Sequence, residues 1–309
     1  MYWNKEIETI DRNKLEEHQF KQLKISLDIA YGTHFYKKHF DEAGFNPANF
    51  KSLADIEKIP FTTKDDLRKA YPYGMLAADK NDIIRMHASS GTTGTPTVIF
   101  HTTKDIDNWS NLVARCLYMA GIRKTDVFQN MMTYGLFTGG LGLHYGAEKV
   151  GTMVIPASSG NTQKQLQLIK DFEVTAIHIT PSYALHVADI IRDELKIEPS
   201  DLGIKFLIHG AEPWSDATRQ KLEETYGGSS FNCYGLSEMN GPGVGFECPE
   251  KKGLHIWEDN YILEIIDKET GKSVEEGVVG ELVLTTIMRE GMPIVRYRTK
   301  DLTHIMKDG

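Results

Sequence analysis

Between residues 14 and 40 apolar side chains return at near-helical spacing, with Leu15, Leu23, Leu27 and Tyr31 on one face and polar residues on the other. A stripe of that period predicts a helical N-terminal portion that buries one side. Thr62 and Thr63 then precede Asp65 and Asp66. A hydroxyl followed by first-turn acids satisfies the free amides of a helix start, so a second, short helix is expected, ending near Tyr71-Pro72. Short apolar runs at 83–87 and 97–102 flank a stretch of Ser, Thr and Gly, which predicts strand, loop, strand. Beyond it the periods alternate. Helices are expected at 105–120, 162–172, 182–195 and 215–226, and strands at 127–132, 152–156, 175–180, 205–209 and 231–233. Thr162, three residues before Gln165, reads as a capping box. Such alternation predicts parallel strands joined by crossover helices. After Gly253 extended segments at 255–266, 280–287 and 294–305 surround a polar turn region at 267–277, predicting a β-rich closing portion shaped as a distorted barrel. The expected class is α/β, mainly parallel sheets flanked by helices plus that barrel portion. A helical subdomain is expected over 1–80 and an α/β core over 81–309.

The stretch 89–97 reads Ser-Ser-Gly-Thr-Thr-Gly-Thr-Pro-Thr. Ser89, Ser90, Thr92, Thr93 and Thr95 offer hydroxyl donors, while Gly91 and Gly94 let backbone amides approach an anion closely. The loop is thus a candidate phosphate cradle, although a flexible turn has the same composition. A Walker loop would instead join a strand to a helix and end in Gly-Lys-Ser/Thr. The one Gly-Lys-Ser here, at 271–273, has Ile266 where the first Walker glycine belongs. It is a decoy. His209-Gly210-Ala211-Glu212-Pro213 follows one expected strand, and Tyr234-Gly235-Leu236-Ser237-Glu238 follows another. In parallel sheets ligands lie beyond the carboxyl ends of strands, so these segments predict one shared site.

Composition narrows the setting. At 309 residues the chain suits one large domain, or one with a small appendage. A net charge of -8 argues against a general nucleic-acid surface. The N-terminal stretch lacks the apolar core of a signal peptide, and no apolar run approaches a membrane span. A cytoplasmic protein without membrane or nucleic-acid partners is expected. The three cysteines, Cys116, Cys233 and Cys248, are too scattered for a disulfide framework, in keeping with a reducing compartment.

The ordered set of the 89–97 loop, Gly-Ala-Glu-Pro at 210–213, Tyr-Gly-Leu-Ser-Glu at 234–238 and Tyr297-Arg298-Thr299-Lys300-Asp301 resembles the adenylate-forming superfamily of acyl-CoA synthetases, luciferases and peptide-synthetase adenylation domains. Residues 134–140, Tyr-Gly-Leu-Phe-Thr-Gly-Gly, and 253–259, Gly-Leu-His-Ile-Trp-Glu-Asp, look like its phenylacetate-CoA ligase branch. The resemblance spans nearly the whole chain. It implies the large N-terminal domain of such an enzyme, with ATP, Mg2+ and coenzyme A as cofactors and an aromatic acid, phenylacetate first, as substrate. A homodimer is an expected assembly. The family adds a C-terminal lid carrying a catalytic lysine, and no segment here corresponds to it; the expectation is that the lid is absent and turnover slow.

A carboxylate that attacks the α-phosphorus of ATP expels pyrophosphate, so charge on the transferring phosphates must be held away from water. The loop has no lysine, so a metal ion must carry more of the neutralisation. Glu238 is the expected Mg2+ ligand, and Glu238 with Thr92 are the catalytic candidates; a surface carboxylate is the alternative for Glu238. By resemblance Gly210, Ala211 and Glu212 line the adenine side, Tyr234 and Gly235 adjoin the base, and Asp301 accepts from the ribose hydroxyls, a role that suits an acceptor-only group. Arg298 either supports the nucleotide or pairs with a neighbouring acid. Tyr134, Phe137, Gly139 and Gly140, closed by Ala211 and Pro242, are expected to form the acid pocket; core aromatics are the alternative for Tyr134 and Phe137. Cys248 and His255 could give two ligands to a structural Zn2+, which is not yet a site. His178 and His209 sit in apolar strands and read as core residues. Two other functions remain open: an adenylyltransferase of the same branch that does not use coenzyme A, and a non-catalytic nucleotide- or acyl-binding module.

Overall fold

The computed structural model describes residues 2–89 and 94–306. The chain divides into two compact units, residues 5–108 with those from 256 onward, and residues 109–255 with the first few.

The first unit begins with α1 (Lys5–Glu8), α2 (Arg12–Tyr31) and α3 (His34–Glu42). The amphipathic stretch at 14–40 is therefore two helices. Gly32 ends α2, and the Thr33 hydroxyl accepts the Tyr36 amide at 3.2 Å to cap α3. Leu23, Leu27, Tyr36 and Phe40 are fully buried beneath them. In α4 (Lys64–Lys69) the expected start is present: Thr63 and Asp66 form a reciprocal capping box. Strands β1 (Ile83–Ala88) and β2 (Val98–Thr102) pair antiparallel on either side of the hydroxyl-rich loop.

The second unit carries most of α5 (Thr103–Ala120), then β3 (Val127–Asn130), α6 (Thr138–Val150), β4 (Met153–Ile155), α7 (Thr162–Asp171), β5 (Ala176–His178), α8 (Pro181–Ile190), β6 (Phe206–His209), α9 (Asp216–Tyr226), β7 (Ser229–Leu236), β8 (Gly241–Glu247) and β9 (Leu254–Ile256). The strands form one sheet in the order β4-β3-β5-β6-β7-β8-β9. The first five run parallel and β8 antiparallel to β7. Ile177, Ile179, Val187, Leu207 and Leu222 bury completely between sheet and helices. Neither α6 nor β8 was expected from the sequence. The Thr162 capping box is also corrected: Asn161, at φ 45, caps α7 by accepting the Lys164 amide at 3.2 Å, and the Gln165 side chain donates to the Ser158 carbonyl instead. The strand ending at 233 continues to Leu236, so Tyr234 and Gly235 are strand residues and only 237–239 form a turn.

In the first unit's closing segment, β10 (Tyr261–Ile266), β11 (Gly280–Thr286) and β12 (Tyr297–Thr303) make a three-stranded antiparallel sheet in that order. The distorted barrel is corrected. The expected strand at 255–266 is broken by a turn in which the Asn260 amide meets the Trp257 carbonyl at 2.9 Å, and among the described residues no strand joins β10 to β12. Beneath this sheet Arg296 pairs with Glu264, Nη2 to Oε1 at 2.7 Å, both side chains buried, and donates to the Ile59 carbonyl at 2.7 Å.

Candidate active site

In the second unit a pocket of about 80 Å3 opens at the carboxyl ends of the parallel strands. Its floor is Met132 just past β3, His178 at the end of β5, Gly210 just past β6 and Cys233 within β7. This is the edge at which parallel sheets bind ligands, because the loops leaving all strands converge there. One wall is the entry to α6, with Phe137, Thr138 and Gly139, and the other is the turn from β7 to β8, with Ser237 and Pro242. Local sequence sets both walls. A Cβ on Gly139 would lie 2.3 Å from the Phe137 ring, so the missing side chain gives that ring its seat. A Cβ on Gly142 would meet Trp109 at 2.5 Å and Pro242 at 2.6 Å. The absence of one lets α6 lie close to both, while the Trp109 indole N–H donates to the Pro242 carbonyl at 2.7 Å. Ala211 turns the chain over the pocket at φ 70, a strained value for a residue with a side chain.

Phe137, Gly139, Ala211 and Pro242 thus meet at one pocket. Tyr134 and Gly140 do not line it. The Tyr134 hydroxyl lies 3.2 Å from His144 Nδ1, and burial pushes its pKa up to about 12. The Gly140 carbonyl accepts from Asn130 Nδ2 at 2.6 Å. Among the nucleotide candidates, Gly210, Ala211 and Gly235 line the same pocket. Tyr234 is half-buried in β7. Both carboxylate oxygens of Glu212 are engaged by Ser182, whose amide donates at 2.6 Å and hydroxyl at 2.9 Å, tying the loop after β6 to the start of α8. Glu238 is buried one residue beyond the pocket wall at Ser237.

The remaining nucleotide candidates belong to the first unit. Ser89 and Thr97 clasp the ends of the hydroxyl-rich loop, amide to carbonyl at 3.0 Å and hydroxyl to hydroxyl at 2.6 Å. Gly94 takes φ 135 and Thr95 is exposed beside it. Ser90, Gly91, Thr92 and Thr93 lie outside the described residues. Asp301 is an exposed residue of β12 whose amide donates to the Thr299 hydroxyl at 3.1 Å. Arg298 takes the acid-pairing alternative, with Nε 3.2 Å from each Glu281 oxygen.

His178 is the residue whose place the sequence did not disclose. It is a core histidine by burial, 3% exposed, and yet it forms part of the pocket floor. His209 is enclosed as expected, with Nδ1 2.9 Å from the Ile179 carbonyl and its ring 4.9 Å from Trp214. Burial lowers the pKa of His178 to about 3 and of His209 to about 4.

No three His, Cys, Asp or Glu side chains gather into a metal site among the described residues. Cys248 is a free thiol, and Cys248 and His255 gain no third ligand of these kinds there. Mg2+ commonly takes only one or two carboxylates and completes its shell with water and substrate phosphate. A single buried carboxylate at Glu238 fits that donor set. No helix among the described residues is long and apolar enough to cross a membrane.

A doubly covered sheet with a pocket at its carboxyl edge is an α/β ligand-binding architecture, and the AMP-binding enzyme family matches residues 31–288, so the chain belongs to that family. More particular likenesses follow. The chain is 49% identical over 302 residues to the phenylacetate-coenzyme A ligase of Pseudomonas putida, covering 97% of this chain and 69% of that protein. It is 45% identical over 302 residues to the enzyme of the same name from Escherichia coli K12, again with 97% and 69% covered. Among solved structures, an open conformation of 2-hydroxyisobutyryl-CoA ligase in complex with 2-HIB-AMP and CoA superposes with a TM-score of 0.92 at 28% identity, covering 98% of this chain and 68% of that one.

Proposed function

We propose that the protein is an AMP-forming acid–coenzyme A ligase whose acid is aromatic, with phenylacetate first among the candidates. The acid carboxylate attacks the α-phosphorus of ATP and pyrophosphate leaves; the coenzyme A thiol then attacks the acyl carbon and AMP leaves. The observation that carries this reading is the small pocket walled by Phe137, Gly139 and Pro242 in a chain nearly half identical to phenylacetate-coenzyme A ligases. Its volume of about 80 Å3 lies below the ~300–1,000 Å3 of drug-sized sites, which suits a compact acid over a long acyl chain. In this reading Gly210 and Ala211 face the adenine, with Glu212 bracing the loop they stand on and Tyr234 and Gly235 beside the base. The hydroxyls of the clasped loop, Ser89 to Thr95, hold phosphate oxygens, and Asp301 accepts from the ribose. Glu238 would hold Mg2+, which supplies charge neutralisation on the phosphates when bound. A cytoplasmic location and a homodimer belong to the same reading.

The test is pyrophosphate release over a panel of aromatic and aliphatic acids, with and without coenzyme A. Aromatic acids should lead the panel, and AMP should accumulate only when coenzyme A is supplied. Pyrophosphate exchange in the absence of thiol together with AMP formation that does not depend on coenzyme A would point to an adenylyltransferase; ligand binding by calorimetry with no turnover would point to a binding module.

A further inference from the structure

Within the pocket floor one polar group is held in a single chemical form by its neighbours. The Asn130 amide is oriented from two sides: Nδ2 donates to the Gly140 carbonyl at 2.6 Å, and Oδ1 accepts the Met132 amide at 3.3 Å. A carbonyl can only accept and an amide N–H only donate, so the two amide ends cannot exchange. Oδ1 is also 3.0 Å from His178 Nδ1. Nδ1 must therefore carry the imidazole proton, and Nε2 carries the lone pair. Burial keeps the ring neutral, with its pKa lowered to about 3. With the Nδ1 corner committed to Asn130, Nε2 is the ring atom left to accept, on a residue that lines the pocket. The rest of the floor, Met132, Gly210 and Cys233, is apolar or weakly polar, and the polar wall groups Thr138 and Ser237 face each other at 3.4 Å.

We propose that His178 is a specificity residue that accepts a hydrogen bond from a donor on the acid's ring, a hydroxyl or a ring N–H, and that the Asn130–Gly140 relay fixes it as the acceptor. This rests on the reading of the pocket as the acid site. Among ring-substituted phenylacetates the favoured member is then one bearing such a donor at its far edge. A buried acceptor left unmet by the wrong ligand costs affinity, whereas a purely apolar floor would separate a hydroxyl from a methyl only weakly.

The experiment compares kcat/KM for pyrophosphate release by the intact protein across phenylacetates carrying hydroxyl, methyl or methoxy at ring positions 3 and 4. At the favoured position the hydroxyl acid should exceed the methyl and methoxy acids by about tenfold, since methoxy accepts but cannot donate. His178→Leu should bring the three together, chiefly through KM, and His178→Gln, whose side-chain oxygen still accepts, should restore part of the preference. Equal values for the three acids in the unaltered protein overturn the assignment, as does a hydroxyl preference that survives His178→Leu. If His178→Leu does not fold, the substituent series on the unaltered protein decides alone. A panel in which no acid releases pyrophosphate overturns the reading of the pocket itself, an outcome distinct from acids reacting without regard to the hydroxyl.

Discussion

Glu238 and Gly139 illustrate what single residues contribute. Glu238 is a buried carboxylate beside the pocket wall, placed by a motif whose ordered residues were legible in the sequence. If Glu238 holds Mg2+ as proposed, Glu238→Ala should lower kcat for pyrophosphate release by about a hundredfold or more, through weaker charge stabilisation in the transition state; an unchanged rate with phenylacetate would remove its role. Gly139→Val should raise KM for aromatic acids by roughly tenfold to a hundredfold, since even its Cβ would overlap the Phe137 seat. A steady-state comparison with a small aliphatic acid shows whether the loss is one of shape. Phe137, Gly139 and Ala211 were readable because they stand in motifs. His178 was not: a lone histidine in an apolar run looks like any enclosed core residue, and only its position at the end of β5 sets it on the pocket floor.

At the scale of elements, the sequence disclosed those whose hydrophobic period was uninterrupted. The parallel strands and α5, α8 and α9 were legible for that reason. α6 was hidden because Gly139, Gly140, Gly142 and Gly146 weaken helical propensity while providing close packing. β8 opens with Gly-Pro-Gly, a turn signal by composition, and its partner β7 determines that it is a strand. The barrel expectation failed since alternation marks strands but not whether a sheet closes. One contact beneath the observed sheet is testable. Arg296→Met strips the partner from the buried Glu264 carboxylate and should destabilise the fold by about 3–5 kcal/mol. Thermal melting checks this, and a double variant that also replaces Glu264 with Leu should recover much of the loss.

For the whole molecule, pH is the sharpest probe. His178 and His209 are held neutral in the fold, at about 3 and about 4, whereas an unfolded histidine takes its proton near ~6.5. The unfolded chain therefore binds more protons as pH falls below ~6.5. Their contribution is complete above that value and is lost progressively as pH falls toward about 4 and then about 3. Each histidine should remove roughly 1.4 kcal/mol of stability per pH unit inside that window. Melting temperatures from pH 7.5 down to 4.5 check this, with His209→Leu, if it folds, expected to show a shallower decline. A flat profile would mean that the two rings meet water. The family resemblance was likewise legible at this scale, and the chain is 45% and 49% identical over 302 residues to relatives of that name.

The pocket's floor is supplied by the sheet, but its walls come from two short segments, the entry to α6 and the turn into β8. Such a division of labour separates inheritance from innovation. Descendants can trade wall residues to accept new acids without renegotiating the scaffold, and a directed-evolution library confined to Phe137, Gly139 and Pro242 should yield altered substrate ranges at little cost to folding.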